Sequence, residues 1–134
     1  MIVVDTTVWV DFFNDRSGSH VATLVDLVER DDDVRLTDVI LTEILQGLRN
    51  DSDVRRVEQH LGAFDILRLD SLDDFRRAAE LYRTARRAGV TVRRTLDCLI
   101  ASLCVREEAP ILHNDGDFDL LATCTDLAVY PANG

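Results

Sequence analysis

Short apolar runs that stop at polar residues, each followed by a stretch of helical spacing, constrain this chain more than any other feature. Ile2-Val3-Val4 is closed by Asp5, and Val34–Thr37, Phe64–Leu69, Pro110–His113 and Leu127–Tyr130 have the same character. Runs this short, bounded by turn formers, predict strands. Between them apolar residues recur at helical spacing. Val21, Leu24, Val25, Leu27 and Val28 run into the acidic turn Asp31-Asp32-Asp33, and Ile40, Leu41, Ile44, Leu45 and Leu48 lie within 38–49. Asp51 or Ser52 is placed to cap a further helix. Ser71-Leu72-Asp73-Asp74 resembles a capping box, opening a long helix to about Ala88 that stops at Gly89. Thr95 is placed to cap a helix to about Arg106, and Phe118–Thr123 reads as a short one. Strands alternating with helices predict an α/β fold: a three-layer α/β/α sandwich with a short, mostly parallel central sheet.

The length of 134 residues fits one domain spanning 1–134, with enough chain to bury a core without disulfides or a structural metal. The longest nearly apolar run, Cys98 to Val105, falls far short of the roughly 20 residues a membrane span needs. Asp5 cuts the first apolar run short and no basic residue precedes it, so a secretory signal is not expected and a cytoplasmic protein is. All 15 basic residues are arginine, which excludes any activity built on a lysine. Cys98, Cys104 and Cys124 form no C-x-x-C pair, and His20, His60 and His113 stand too far apart for a helical ligand pair, so zinc is not expected.

The charge is unevenly spread. Residues 76–106 carry eight arginines against Glu80 and Asp97, a net of +6 within a chain of net −10. A polyanion therefore has one segment on which to dock. Arg76, Arg77 and Arg83 read as the solvated face of an amphipathic helix, paired with nearby acids. Arg86, Arg87, Arg93 and Arg94 cluster about the helix end at Gly89 and are the candidates for contacts to a nucleic-acid backbone.

In a parallel α/β sheet, ligands bind beyond the carboxyl ends of the strands, which selects the acids to weigh. Asp5 ends the first strand, and Asp115 and Asp117 follow the fourth. At about 100° per residue, Glu43 lies on the shoulder of the stripe through Ile40, and Asp97 borders the stripe of Leu96, Leu99, Ile100 and Leu103. Each acid also has a plainer use. Asp5 can cap the helix after it, Asp97 can complement a helix dipole, Glu43 can reach water, and Asp115 and Asp117 can form a turn about Gly116. Clustered carboxylates repel one another unless cations neutralise them. An oxygen-only donor set suits Mg²⁺ or Mn²⁺.

Four segments together carry a resemblance: Asp5-Thr6-Thr7 after an apolar strand, Glu43 in a helix, Arg94-Thr95-Leu96-Asp97-Cys98-Leu99-Ile100-Ala101, and Leu112-His113-Asn114-Asp115-Gly116-Asp117-Phe118-Asp119. In this order and spacing the chain resembles the PIN-domain nucleases, and within them the small VapC-type toxins of prokaryotic toxin–antitoxin pairs. The resemblance implies a metal-dependent endoribonuclease restrained by a cognate VapB-type antitoxin. By position, Asp5, Glu43, Asp97 and Asp115 match the family's four acids, Thr7 its Ser or Thr beside the metal site, and Asp117 a further acid of many members. A symmetric homodimer is consistent with the family. The strongly acidic body and Gly116, where relatives often carry a larger residue, depart from its pattern.

On this resemblance the expected chemistry is hydrolysis by a metal-activated water, leaving 5′-phosphate and 3′-hydroxyl ends. Asp5 and Asp97 are expected as direct ligands of one or two ions, Glu43 and Asp115 as ligands directly or through water, and Thr7 and Asp117 as their supports. Such chemistry needs no 2′-hydroxyl, so RNA as substrate rests on the resemblance alone. The apolar cluster Val8, Trp9, Phe12 and Phe13 reads either as core or as a docking surface for the antitoxin. The alternative function is a catalytically silent PIN-like module that binds a protein or RNA partner.

Overall fold

Every strand expected from the apolar runs is present in the computed structural model, which describes residues 1–132. In chain order the elements are β1 (Ile2–Val4), α1 (Thr6–Phe13), α2 (Ser19–Glu29), β2 (Val34–Thr37), α3 (Asp38–Gln46), α4 (Asp51–Leu61) and β3 (Asp65–Leu67). They continue with α5 (Leu72–Arg87), α6 (Thr95–Arg106), β4 (Ile111–Leu112), α7 (Gly116–Cys124) and β5 (Val129–Tyr130). The sheet has the order β3-β2-β1-β4-β5, and each neighbouring pair is parallel. Successive side chains of a strand point to opposite faces. Val3 and Val4 in β1, and Ile111 and Leu112 in β4, are all buried, so helices cover both faces and the architecture is α/β/α.

The strand order reverses direction at β1, whose neighbours are β2 on one side and β4 on the other. Val3 is in register with Ile111 and Val4 with Leu112, so the two strands end together. The Asp5 amide donates to the Leu112 carbonyl at 2.9 Å, extending the pairing one residue to the point where both chains leave the sheet. This is the topological switch point, where parallel α/β sheets open a crevice.

Local details correct the sequence reading. Asn50, not Asp51 or Ser52, caps α4, its side chain accepting from the Asp53 amide. Ser71 precedes α5 without a side-chain cap, so the capping box does not form; Asp74 accepts instead from the Asp70 amide. Thr95 is the first residue of α6, and Arg94 holds the cap position. Gly89 ends α5 as expected, with φ of 78°, a left-handed conformation that favours glycine.

The largest revision concerns α6. Leu96 is exposed, while Asp97, Cys98, Ile100, Ala101, Ser102, Leu103 and Cys104 are buried. Asp97 therefore lies within the buried face rather than at its border. Of the aromatic cluster, Val8 and Trp9 are core, and the Trp9 indole donates to the Val4 carbonyl at 2.9 Å. Phe12 is exposed, and with Phe13, Val28 and Phe64 it lines an apolar groove of about 390 Å³. No helix among the described residues is long and apolar enough to cross a membrane.

Candidate active site

Asp5 caps the helix after it with one carboxylate oxygen and leaves the other unbonded. Oδ2 accepts from the Thr7 amide at 3.2 Å and the Thr7 hydroxyl at 2.8 Å, capping α1. Oδ1 is buried without a partner. Burial drives the Asp5 carboxyl above its ordinary pKa, partly opposed by the Thr7 hydrogen bonds and reinforced by the charge of Glu43. Thr7 Oγ1 in turn accepts from the Asn114 amide at 3.0 Å, tying the start of α1 to the turn after β4.

Asp97 reaches the same region from the first turn of α6 and is fully buried. Its Oδ1 accepts from Arg94 at 2.8 Å, while Oδ2 is buried and unpartnered. Burial raises its pKa to about 6; Arg94 pulls against that shift, and the charges of Asp115 and Asp5 add to it. An unpaired buried carboxylate oxygen costs kcal/mol rather than tenths. Asp5 and Asp97 each have one such oxygen.

The remaining acids complete one edge. Glu43 on α3 is nearly buried, Oε1 accepting from the Thr6 hydroxyl at 2.9 Å and Oε2 from Arg94 at 3.1 Å. Asp115 caps α7 by accepting from the Asp117 amide, and its own amide donates to His113 Nδ1. Asp117 is buried and accepts from the Arg93 Nε at 3.1 Å. One oxygen each of Asp97, Asp115 and Asp117 lie within 4.8 Å of one another. Beside them opens a cleft of about 270 Å³, lined by Thr6, Thr7, Val10, Glu43, Arg94 and Asn114 among others.

The structure thus brings Asp5, Thr7, Glu43, Asp97, Asp115 and Asp117 to one edge. It divides the four arginines. Arg93 and Arg94 reach into the acids, whereas Arg87 pairs with Glu80 at 3.0 Å and Arg86 lies over the Tyr82 ring. Neither Arg86 nor Arg87 touches the acidic edge. Sequence reasoning passed over Thr6, whose only signal was its place between Asp5 and Thr7, and Asn114, whose amide locks Thr7.

Residues 2–123 match the profile of the PIN domain. Over 129 residues the chain is 41% identical to the VapC ribonuclease Mb1587 of Mycobacterium bovis, covering 95% of this chain and 96% of that one. Among solved structures, VapBC2 from Rickettsia felis, bound to a DNA fragment from its promoter, superposes with a TM-score of 0.77 at 19% identity, covering 96% of this chain and 97% of that one. FitAcB from Neisseria gonorrhoeae also superposes at 0.77, with 23% identity over 97% of this chain and 96% of that one. At these identities the two structures speak for the fold.

Proposed function

The chain belongs to the PIN-domain family, and on that premise we propose that it is a metal-dependent endoribonuclease, the toxin of a VapBC-type toxin–antitoxin pair. The relative named as a VapC ribonuclease, matched along nearly its whole length, supports the activity. The observation that carries the reading is the pair of buried, unpartnered oxygens, Asp5 Oδ1 and Asp97 Oδ2, at an edge that also gathers Glu43, Asp115 and Asp117. Acids that serve only as caps and turn formers have no reason to leave buried oxygens unpaired.

The donor set suits Mg²⁺ or Mn²⁺, being carboxylate oxygen throughout. Asp5 and Asp97 are the direct ligands in this reading, Glu43 and Asp115 bind directly or through water, and Thr7 and Asp117 support them. When bound, such an ion would lower the pKa of a water, making hydroxide available to attack phosphorus, and would offset the negative charge that builds on the phosphate. The chain's own groups do the rest. Thr7 fixes one Asp5 oxygen so that the other faces the site, and Thr6 fixes Glu43 in the same manner. Full burial keeps bulk water from screening Asp97. The adjoining cleft has room for a phosphodiester, and Arg94 on its wall presents a guanidinium to it.

A VapB-type antitoxin is the proposed partner, in keeping with the VapC name of the relative and the VapBC2 name of the Rickettsia felis structure. The apolar groove beside Phe12 and Phe13 offers it an anchor. A cytoplasmic protein that acts on RNA and forms a homodimer completes the proposal. The test is cleavage of a total-RNA pool in Mg²⁺, in Mn²⁺ and in chelator, beside Asp97→Asn. Discrete fragments with 5′-phosphate and 3′-hydroxyl ends, needing both the cation and Asp97, are the expected result. Intact RNA from folded, cation-loaded protein would transfer the proposal to a partner-binding module without catalysis.

A further inference from the structure

The acidic edge carries its own cation. The Arg94 guanidinium spans carboxylates from three separate elements, at 3.1 Å from Glu43 Oε2 on α3, 2.8 Å from Asp97 Oδ1 on α6 and 3.7 Å from Asp115 Oδ2 before α7. Arg93 joins from the same segment, at 3.1 Å from Asp117 and 3.5 Å from Asp115. A guanidinium cannot shed its proton in a protein, so this neutralisation is permanent while the contact lasts.

Three observations say that Arg94 is a removable occupant rather than a fixed strut. Its side chain is 47% exposed, whereas the three acids it spans are at most 13% exposed, so it enters from the solvent side of a preformed site. It sits at the end of the segment after Gly89, which has no regular structure until Thr95. It also leaves the inner oxygens, Asp5 Oδ1 and Asp97 Oδ2, unpartnered, so it covers the mouth without filling the interior.

We propose that Arg94 is the internal counter-ion of the acidic site and exchanges with the divalent cation. Without the cation it holds Glu43, Asp97 and Asp115 together against their mutual repulsion. Its Nη2 lies 2.8 Å from Asp97 and 3.7 Å from Asp115, two of the acids that would hold the cation. With a cation held by these acids, the guanidinium would move toward the cleft, on whose wall Arg94 already stands and where it could meet a phosphate. Arg94 is thus a positioning residue before the cation binds and a substrate contact after it binds. The inference rests on the reading of these acids as a cation site.

Mn²⁺ binding followed by electron paramagnetic resonance separates the two. The samples are the wild-type chain, Arg94→Gln, Arg86→Gln and Asp97→Asn, with melting temperatures taken in chelator and in Mn²⁺. Arg94→Gln is expected to bind Mn²⁺ roughly tenfold more tightly than wild type, the equivalent of losing one charge-assisted competitor. It should also melt lower in chelator, with the difference abolished by Mn²⁺. Arg86→Gln removes the same charge away from the acids and should leave affinity within about twofold. Affinity of Arg94→Gln equal to or below that of Arg86→Gln overturns the exchange. So does an Arg94 guanidinium whose hindered rotation, seen by NMR at Cζ, persists unchanged in saturating Mg²⁺. If instead wild type and Asp97→Asn bind Mn²⁺ equally, the cation-site reading itself falls.

Discussion

Two buried aspartates at the same position of adjacent helices have opposite surroundings. Asp74 is the third residue of α5 and Asp97 the third of α6, and both are buried. Each has an arginine three residues away, Arg77 and Arg94 respectively. At Asp74 both oxygens are satisfied: Oδ1 accepts from Arg77 at 3.0 Å, and Oδ2 from the Asp70 amide at 3.0 Å and Arg106 at 2.9 Å. Ser102 closes the group by donating to the Asp74 carbonyl at 2.6 Å. Burial pushes the Asp74 carboxyl up, but the Asp70 amide and the two arginines prevail and hold it at about 2. At Asp97 one oxygen is orphaned and the carboxyl stands at about 6. A buried carboxylate with both oxygens bonded clamps helices together; one with an oxygen to spare is suited to binding a group that is not part of the chain.

The largest effect should come from Asp97→Asn, which is expected to lower RNA cleavage about a thousandfold or more while leaving the melting temperature in chelator unchanged or raised. A clear loss of stability would place Asp97 with Asp74 as a structural clamp. Asp74→Asn should behave in reverse, losing about 2–3 kcal/mol in denaturant unfolding because two guanidinium groups lose their anionic acceptor. Cleavage per folded molecule should stay within about twofold.

The pH dependence of stability in chelator sharpens the contrast. Asp74 sits below its ordinary value, so its contribution is present above about pH 4 and is lost as pH falls through about 2. Asp97 sits above its ordinary value, so its contribution is present below about pH 4 and is lost as pH rises through about 6. Saturating Mg²⁺ should remove the second dependence and leave the first. Melting curves from pH 2 to 8, with and without the ion, read both.

Smaller effects test the supports. Thr6→Val frees Glu43 from its only hydroxyl donor and should reduce cleavage roughly tenfold with little change in stability. Ser102→Ala should cost about 1 kcal/mol and leave cleavage untouched, since it belongs to the Asp74 group. Equal losses of activity from both would erase the distinction between the two centres.

Much of this was readable along the chain, and the exceptions have definite causes. Asp5, Asp115 and Asp117 were legible because a strand's end is a local signal and the switch-point rule says which ends matter. Glu43 was placed correctly on its stripe's shoulder. Asp97 was placed at the border of its stripe because apolar periodicity counts Leu96 as inward. The buried face of α6 in fact includes Asp97 and Ser102, polar groups that only their partners make tolerable there. Arg77 was read as solvated, yet it reaches Asp74 and Ser102, the latter 25 residues away.

Periodicity, strand-end acids and turn formers are local, and they were sufficient to specify the alternating α/β order, the parallel sheet and the acids its edge gathers. Which oxygens of those acids are used, and which stay free, depends on donors distant in sequence: Thr6 lies 37 residues from Glu43, Arg94 lies 51 from Glu43, and Asn114 lies 107 from Thr7. Hydrogen bonds act only at contact distance and favoured angles. Tertiary packing alone therefore decided that Asp74 is closed and Asp97 open, and that an arginine stands at the mouth of the site.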